Sequence, residues 1–473
     1  MSENTDDLEQ SVMLAAAAAD LREYEEAESR LPELKHDPVP VETSRKSYYT
    51  ETRFSDQERD NNVCTVTNRK ETNADSHCRG QARQSTSNKR SREDSDDSDS
   101  HPHKKAALIK EVSIGTSHAE VVATHYNLIE EKGLQERSKS RVIHLRNFHN
   151  WIKSMLINEY LTKIRDSKKQ HNPPIRVHDM CCGKGGDLSK WRIGNISHLI
   201  CSDIAEMALE DCKNRYASYV KQRSRNDRGW GSNNIFSMEV VHGDGGKVRY
   251  REKFKDPSIK LDLVSCQFAF HYSFESLPQA NCWFKNVSEC LQAGGYFIGT
   301  MVDSNEIIAR YRKSETDSFG NNVFEVRELN FDAAKPPLFG GKYNFELFGI
   351  INCPEFLVHF PTFEKLGKKY GLKLVKKEKF WNFFERMKDE GKQLLTNMGA
   401  LESYPPTEGK TLVGNDGDDY THAKEFLKNQ NGDDGCCGTL SKSEWEASSL
   451  YLTFAFQKVK NTWNADGTPC YDI

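Results

Sequence analysis

The chain has 473 residues, and 66 Lys and Arg stand against 70 Asp and Glu, a net charge of −4. Such balance does not advertise a general polyanion binder, so any basic surface must be local. The longest apolar run, residues 13–19, falls far short of the roughly 20 residues a membrane-spanning helix needs, which excludes a membrane protein.

Thirteen cysteines are scattered without C-x-x-C spacing, and Cys181-Cys182 and Cys436-Cys437 are adjacent. With no secretory leader, this predicts reduced thiols in the cytosol or nucleus, no disulfide framework and no metal site. Residues 1–118 are poor in apolar side chains and rich in Ser, Asp, Arg, Asn and Glu, which predicts a disordered arm. Within it, Lys89-Arg90-Ser91-Arg92 and Lys104-Lys105 flank an acidic, Ser-rich run. The expectation is a bipartite nuclear import signal and a nuclear protein; the plainer reading is a solvated mixed-charge linker.

Folded sequence begins near His118. Leu145, Phe148, Trp151, Ile152, Met155, Leu156 and Ile164 recur at helical spacing. A strand at 175–178 leads into Asp179-Met180-Cys181-Cys182-Gly183-Lys184-Gly185-Gly186-Asp187, and a helix opens at Leu188. Strand, small-residue turn and helix start make a cradle that brings free N–H groups toward a ligand, or an ordinary crossover turn. A second strand, 198–201, ends at Ser202-Asp203, and a helix over 204–220 follows. Asp203 is placed to accept hydrogen bonds from an adenosine ribose, or to cap that helix. Strands at 235–241 and 261–266 end at Asp244 and Gln267. A helix over 277–291 is stopped by Gly294-Gly295 before a fifth strand at 296–301.

Beyond Ser304 the alternation breaks. The sequence predicts antiparallel strands around 339–348, a turn or helix start at 353–357, and a helix over 361–371. It continues with a strand at 372–380, a basic helix over 381–398, an acidic mobile excursion at 415–434 and a closing strand at 447–457.

The ordered pieces Leu145-Arg146-Asn147-Phe148, Cys182-Gly183-Lys184-Gly185-Gly186-Asp187-Leu188, Cys266-Gln267-Phe268, His271-Tyr272-Ser273-Phe274-Glu275-Ser276 and Pro354-Glu355-Phe356-Leu357-Val358 carry a resemblance. So does Gly438-Thr439-Leu440-Ser441-Lys442-Ser443-Glu444-Trp445-Glu446-Ala447. Over residues 120–460 the chain resembles the eukaryotic mRNA cap guanine-N7 methyltransferases, class I S-adenosylmethionine-dependent enzymes. The resemblance implies an α/β, Rossmann-like fold: a mostly parallel seven-stranded sheet with helices on both faces. It implies a catalytic domain over 119–460 with a lobe insertion at about 381–445, and a flexible tail at 461–473.

By the same resemblance, S-adenosylmethionine would meet Lys153, Cys181, Asp203, Asp244, Gln267 and Tyr272, with Asp179 and Gly183 shaping the turn. The cap would meet His149, Asn150, Lys184, Asp187, Lys190, Arg215, His271, Glu355 and Tyr451, of which His271, Glu355 and Tyr451 would be catalytic. Cys181 stands where the family usually has a glycine, and at positive φ it would cost on the order of 1 kcal/mol. Guanine N7 already carries a lone pair, so methyl transfer needs alignment rather than a general base. Taken singly, Lys190, Arg215 and Asp187 also read as surface or capping residues, and His271 and Tyr451 as core. The implied partners are 5′-capped mRNA, a small activating subunit, and the RNA polymerase II tail with the capping enzyme. Alternatives are another class I methyltransferase, a non-catalytic RNA-binding relative, and a dinucleotide oxidoreductase; the last is opposed by the missing G-x-G-x-x-G.

Overall fold

The computed structural model describes residues 39–40, 117–128, 139–168, 172–226, 235–414, 417–429, 435–461 and 470. The basic clusters at 89–92 and 104–105, and nearly all of the arm, lie outside the described residues. In chain order come β1 (Val39–Pro40), α1 (His118–Leu128), α2 (Ile143–Lys168), β2 (Arg176–Met180), α3 (Leu188–Ile193) and β3 (His198–Asp203). Next are α4 (Glu206–Asn226), β4 (Ser237–His242), β5 (Leu261–Gln267), α5 (Leu277–Ser288) and β6 (Leu291–Val302). The later part holds α6 (Ser304–Lys313), β7 (Ser318–Gly320), β8 (Phe324–Arg327), β9 (Lys342–Leu347), β10 (Ile351–Phe356), α7 (Phe360–Lys369) and β11 (Leu372–Lys379). It closes with α8 (Phe380–Met387), α9 (Lys392–Asn397), β12 (Glu402–Tyr404), α10 (Thr421–Asn429), β13 (Cys437–Thr439), α11 (Lys442–Ser448) and β14 (Tyr451–Lys458).

Seven strands form one sheet in the order β11-β14-β6-β5-β2-β3-β4. Neighbours from β4 to β6 are parallel, while β14 runs antiparallel to both β6 and β11, so the sheet is mixed. Alternate strand residues enter different apolar layers. Val177, Leu199, Leu263 and Ile298 join Trp151 of α2 and Trp191 of α3, whereas Met180, Ile200, Val264 and Phe297 join Phe284 of α5 and Phe363 of α7. Successive strand side chains point to opposite faces, so helices cover both sides. The parallel run brings the ends of β2, β3, β4 and β5 to a single edge, which is where the site forms. A second, antiparallel sheet runs β10-β9-β8-β7, and a small third one β1-β13-β12.

Several local expectations need correction. Gly294-Gly295 does not stop α5, which ends at Ser288; both glycines lie inside β6. Gly294 takes φ +85°, and a Cβ on Gly295 would sit 2.8 Å from Asp262 O, so they shape the strand's path beside β5. Residues 353–357 are not a turn or helix start but mostly β10. Pro354 fits there because β10 is an edge strand and needs fewer ladder N–H donors. The basic helix at 381–398 is two helices, α8 and α9. Gly391 separates them: its carbonyl accepts the Trp151 indole N–H at 3.0 Å, and a Cβ there would meet that ring at 2.6 Å. The excursion at 415–434 contains α10. Ala447 belongs to α11, whose capping box joins Ser441 and Glu444, so the closing strand starts later, at Tyr451.

Candidate active site

The turn after β2 is tied down by its neighbours. Cys182 N–H donates to Ser202 O at 3.1 Å, and Gly183 N–H donates to Asp203 Oδ2 at 2.7 Å. Gly183 and Gly185 take φ +51° and +72°, and so does Cys181, at +56°. The side chain at Cys181 therefore sits in the left-handed region that the expectation marked as costly. A Cβ on Gly183 would meet nothing within 4 Å, so its backbone is open to a ligand. Beneath, the Trp191 indole N–H donates to Asp179 Oδ2 at 2.9 Å, and burial pushes the Asp179 carboxyl up to about 8.

The expected cofactor residues separate into four situations. Asp203 Oδ1 accepts from Ala205 N–H at 2.8 Å while Oδ2 holds Gly183, so this carboxylate organises both the turn and the entry to α4. Burial raises its pKa, and those backbone donors counter part of the rise. Asp244 Oδ1 accepts from Gly246 N–H at 2.8 Å; Oδ2 is buried without a hydrogen bond, with the Lys247 ammonium 3.6 Å away. Cys181, Asp244 and Tyr272 line one cavity, which His118, Ala119 and Val122 of α1 also enclose. The Gln267 side chain is turned inward instead, donating to Ser265 Oγ at 3.0 Å and accepting from Thr300 Oγ1 at 3.1 Å. Lys153 lies 2.8 Å from Asp187 Oδ1, as does Lys190, and Lys190 also reaches Asn150 Oδ1 at 3.4 Å. Lys153, Asn150, Asp187 and Lys190 thus form one cluster across the expected cofactor and cap sets. The paired ammonium groups hold Asp187 well below the usual carboxylate range against its burial.

Glu355 and His271 occupy a second, deeply buried part of the site. Burial pushes Glu355 up to about 8, and Tyr343 Oη donates to its Oε2 at 2.8 Å. His271 Nε2 lies 3.5 Å from Glu355 Oε1, and both ring nitrogens are buried without a hydrogen-bond partner. Burial lowers its pKa to about 3, so the ring is neutral. Unspent polar atoms in an aromatic enclosure suit a flat base with its own donors and acceptors. The aromatic wall is Tyr451, with Phe268 at 5.3 Å, His149 at 5.1 Å and Phe380 stacked at 5.6 Å between ring centroids. Lys184 of the turn pairs with Asp211 of α4 at 2.7 Å, and Arg215 of the same helix donates to Gly185 O at 3.4 Å, so both cations sit where α4 meets the turn.

Four contributors escaped the sequence reading. Tyr343 is the cross-strand partner of Glu355. Phe268 takes φ +58°, an uncommon conformation for a bulky residue, and stacks its ring on His149 at 5.5 Å. Tyr126 Oη lies 3.4 Å from Tyr272 Oη, and His118 packs against Phe356 at 4.5 Å. Tyr126 and His118 stand in the noticed stretch at the start of folded sequence, but nothing local says that α1 returns over the site.

A mixed sheet with flanking helices and a Gly-rich turn at its carboxyl edge makes an α/β fold that binds ligands at that edge, and the family it falls in is one of S-adenosylmethionine-dependent methyltransferases. The model of the mRNA (guanine-N(7))-methyltransferase domain matches residues 110–459, and the chain belongs to that family. An mRNA cap guanine-N(7) methyltransferase of Drosophila melanogaster is 48% identical over 365 residues, 77% of this chain and 82% of that protein. The protein of the same name from Caenorhabditis elegans is 37% identical over 347 residues, 72% and 87% of the two chains. In Arabidopsis thaliana, mRNA cap guanine-N(7) methyltransferase 1 is 34% identical over 348 residues, 72% and 81%.

Proposed function

We infer that the protein transfers a methyl group from S-adenosylmethionine to N7 of the guanosine cap of mRNA, on a Rossmann-like frame. The observation that carries the residue assignment is the buried Glu355–His271 pair, with unspent polar atoms, beside the aromatic wall of Tyr451. The cofactor side fits too: Asp244 Oδ2 is a buried acceptor suited to the adenine amine, and the space above Gly183 admits close approach. When bound, S-adenosylmethionine supplies a sulfonium methyl and its own leaving group.

The chain's residues then bind and orient. Ionised Glu355 accepts from guanine N1–H and the exocyclic amine, and its charge favours a ring that becomes cationic. His271 donates to O6, and Tyr451 and His149 wall the base. Lys184 and Arg215, with Lys190 of the Asn150–Asp187 cluster, offer charge-assisted donors to the triphosphate. Lys153 and Tyr272 attend the methionine part of the cofactor and Asp203 the ribose. The inward-turned Gln267 side chain leaves its main chain to line the edge. No group needs to remove a proton, so alignment, worth about 7–11 kcal/mol in such reactions, does the work.

A small activating subunit on the lobe around 381–445, association with the RNA polymerase II tail and capping enzyme, and nuclear import through the basic clusters at 89–92 and 104–105 complete the proposal. The direct test is incubation with GpppN-ended RNA and labelled cofactor, followed by digestion of the cap. Label in 7-methylguanosine supports the reading; label only at ribose, or none, overturns it.

A further inference from the structure

Three cysteines distant in sequence meet beneath the cofactor turn. Cys182 comes from the turn, Cys201 from β3 and Cys212 from α4, and their sulfurs all lie within 4.8 Å of one another. Among the described residues this is the one such gathering of three His, Cys, Asp or Glu ligand atoms. Cys201 and Cys212 are buried and Cys182 is half-buried. The frame around them is fixed. Cys201 lies on a strand paired on both sides, by β2 and β4. Cys182 N–H is tied to Ser202 O, and Cys212 Sγ presses so close to the turn that a Cβ on Gly185 would be 2.8 Å away.

Three thiolates bound to one cation at about 2.3 Å, in a flat or shallow pyramid, require sulfurs roughly 4 Å apart or a little less. That separation lies inside the observed limit. A disulfide would join only two of the three. Thiolate donors select soft cations over magnesium or calcium. We propose that Cys182, Cys201 and Cys212 form a three-thiolate site for a thiophilic divalent cation of the zinc and cadmium class, and that loading it alters the cofactor turn. Three S–H bonds break, three sulfur–metal bonds form, and three protons pass to solvent for each cation bound.

The test titrates the reduced full chain with cadmium, reading thiolate-to-cadmium ultraviolet absorption, proton release and S-adenosylmethionine affinity. A Cys436→Ser/Cys437→Ser background removes the adjacent pair near the chain's end. The expected result is one tight equivalent with three protons released and a several-fold change in cofactor Kd. Cys201→Ser and Cys212→Ser should each lose that equivalent, and Cys290→Ser, buried elsewhere, should keep it. Absence of the equivalent in the background chain, or its survival in folded Cys212→Ser, overturns the site. An unchanged cofactor Kd on loading overturns the coupling. If either serine variant fails to fold, absorption and proton release in the background chain still decide.

Discussion

Tyr343 and Glu355 face each other as register partners across β9 and β10, and the phenol donates to the carboxylate at 2.8 Å. Burial pushes the Glu355 carboxyl up to about 8, and this hydrogen bond pulls in the opposite direction. The pair therefore decides how readily the pocket offers an acceptor to a base edge.

Activity should follow that ionisation. Guanine donors require the carboxylate, so kcat/KM for capped RNA should rise with pH and level off above about 8. His271, lowered to about 3, adds no limb in that range. The stability sign is opposite. A carboxyl raised in the folded state contributes stability that is fully present below its unfolded value near 4.5 and lost as pH rises through about 8. Glu355→Gln should lose that part of the pH dependence of Tm. A wild-type rate flat between pH 6 and about 8 would contradict the assignment.

Removing the phenol tests the same pair from the other side. Tyr343→Phe leaves the shape but strips one donor from Glu355, at a cost of about 1 kcal/mol, or roughly fivefold in cap affinity. The midpoint of the pH profile should move upward while cofactor Kd stays constant. A downward shift would mean that the hydrogen bond does not favour the ionised form.

Cys181 should be the easiest residue to improve. Cys181→Gly relieves a positive φ, a gain on the order of 1 kcal/mol that glycine's freedom in the unfolded chain partly offsets. Calorimetry should find cofactor binding equal or tighter. Clear weakening would show that the thiol itself contributes to the cavity.

Asp203→Ala removes the acceptor for both Gly183 and Ala205 N–H groups. Losing those bonds costs about 1–3 kcal/mol at a buried site, so cofactor Kd should rise by roughly tenfold or more. An unaltered Kd would show that the turn holds its form without this carboxylate.

The strands and their polar ends were legible because apolar runs closed by Asp203, Asp244 and Gln267 are local signals. Contacts made between remote segments were not. Tyr343 reads as an ordinary strand tyrosine until β10 is recognised as a strand, and Pro354 disguises that strand. Cys182, Cys201 and Cys212 lack any metal-binding spacing, because the fold and not the spacing gathers them. The resemblance assigns Lys153 and Asp187 to different ligands, yet they pair at 2.8 Å, since α2 crosses over the turn.

The central claim is that the chain clamps a guanine beside the cofactor with Glu355 as the recognising acceptor. The most direct measurement compares wild type and Glu355→Ala for methyl transfer to GpppN-ended RNA, with S-adenosylmethionine binding measured on the same samples. Cofactor Kd should be equal in the two proteins, and labelled 7-methylguanosine should be lost in the variant. Undiminished transfer by Glu355→Ala, with cofactor bound as in wild type, would contradict it.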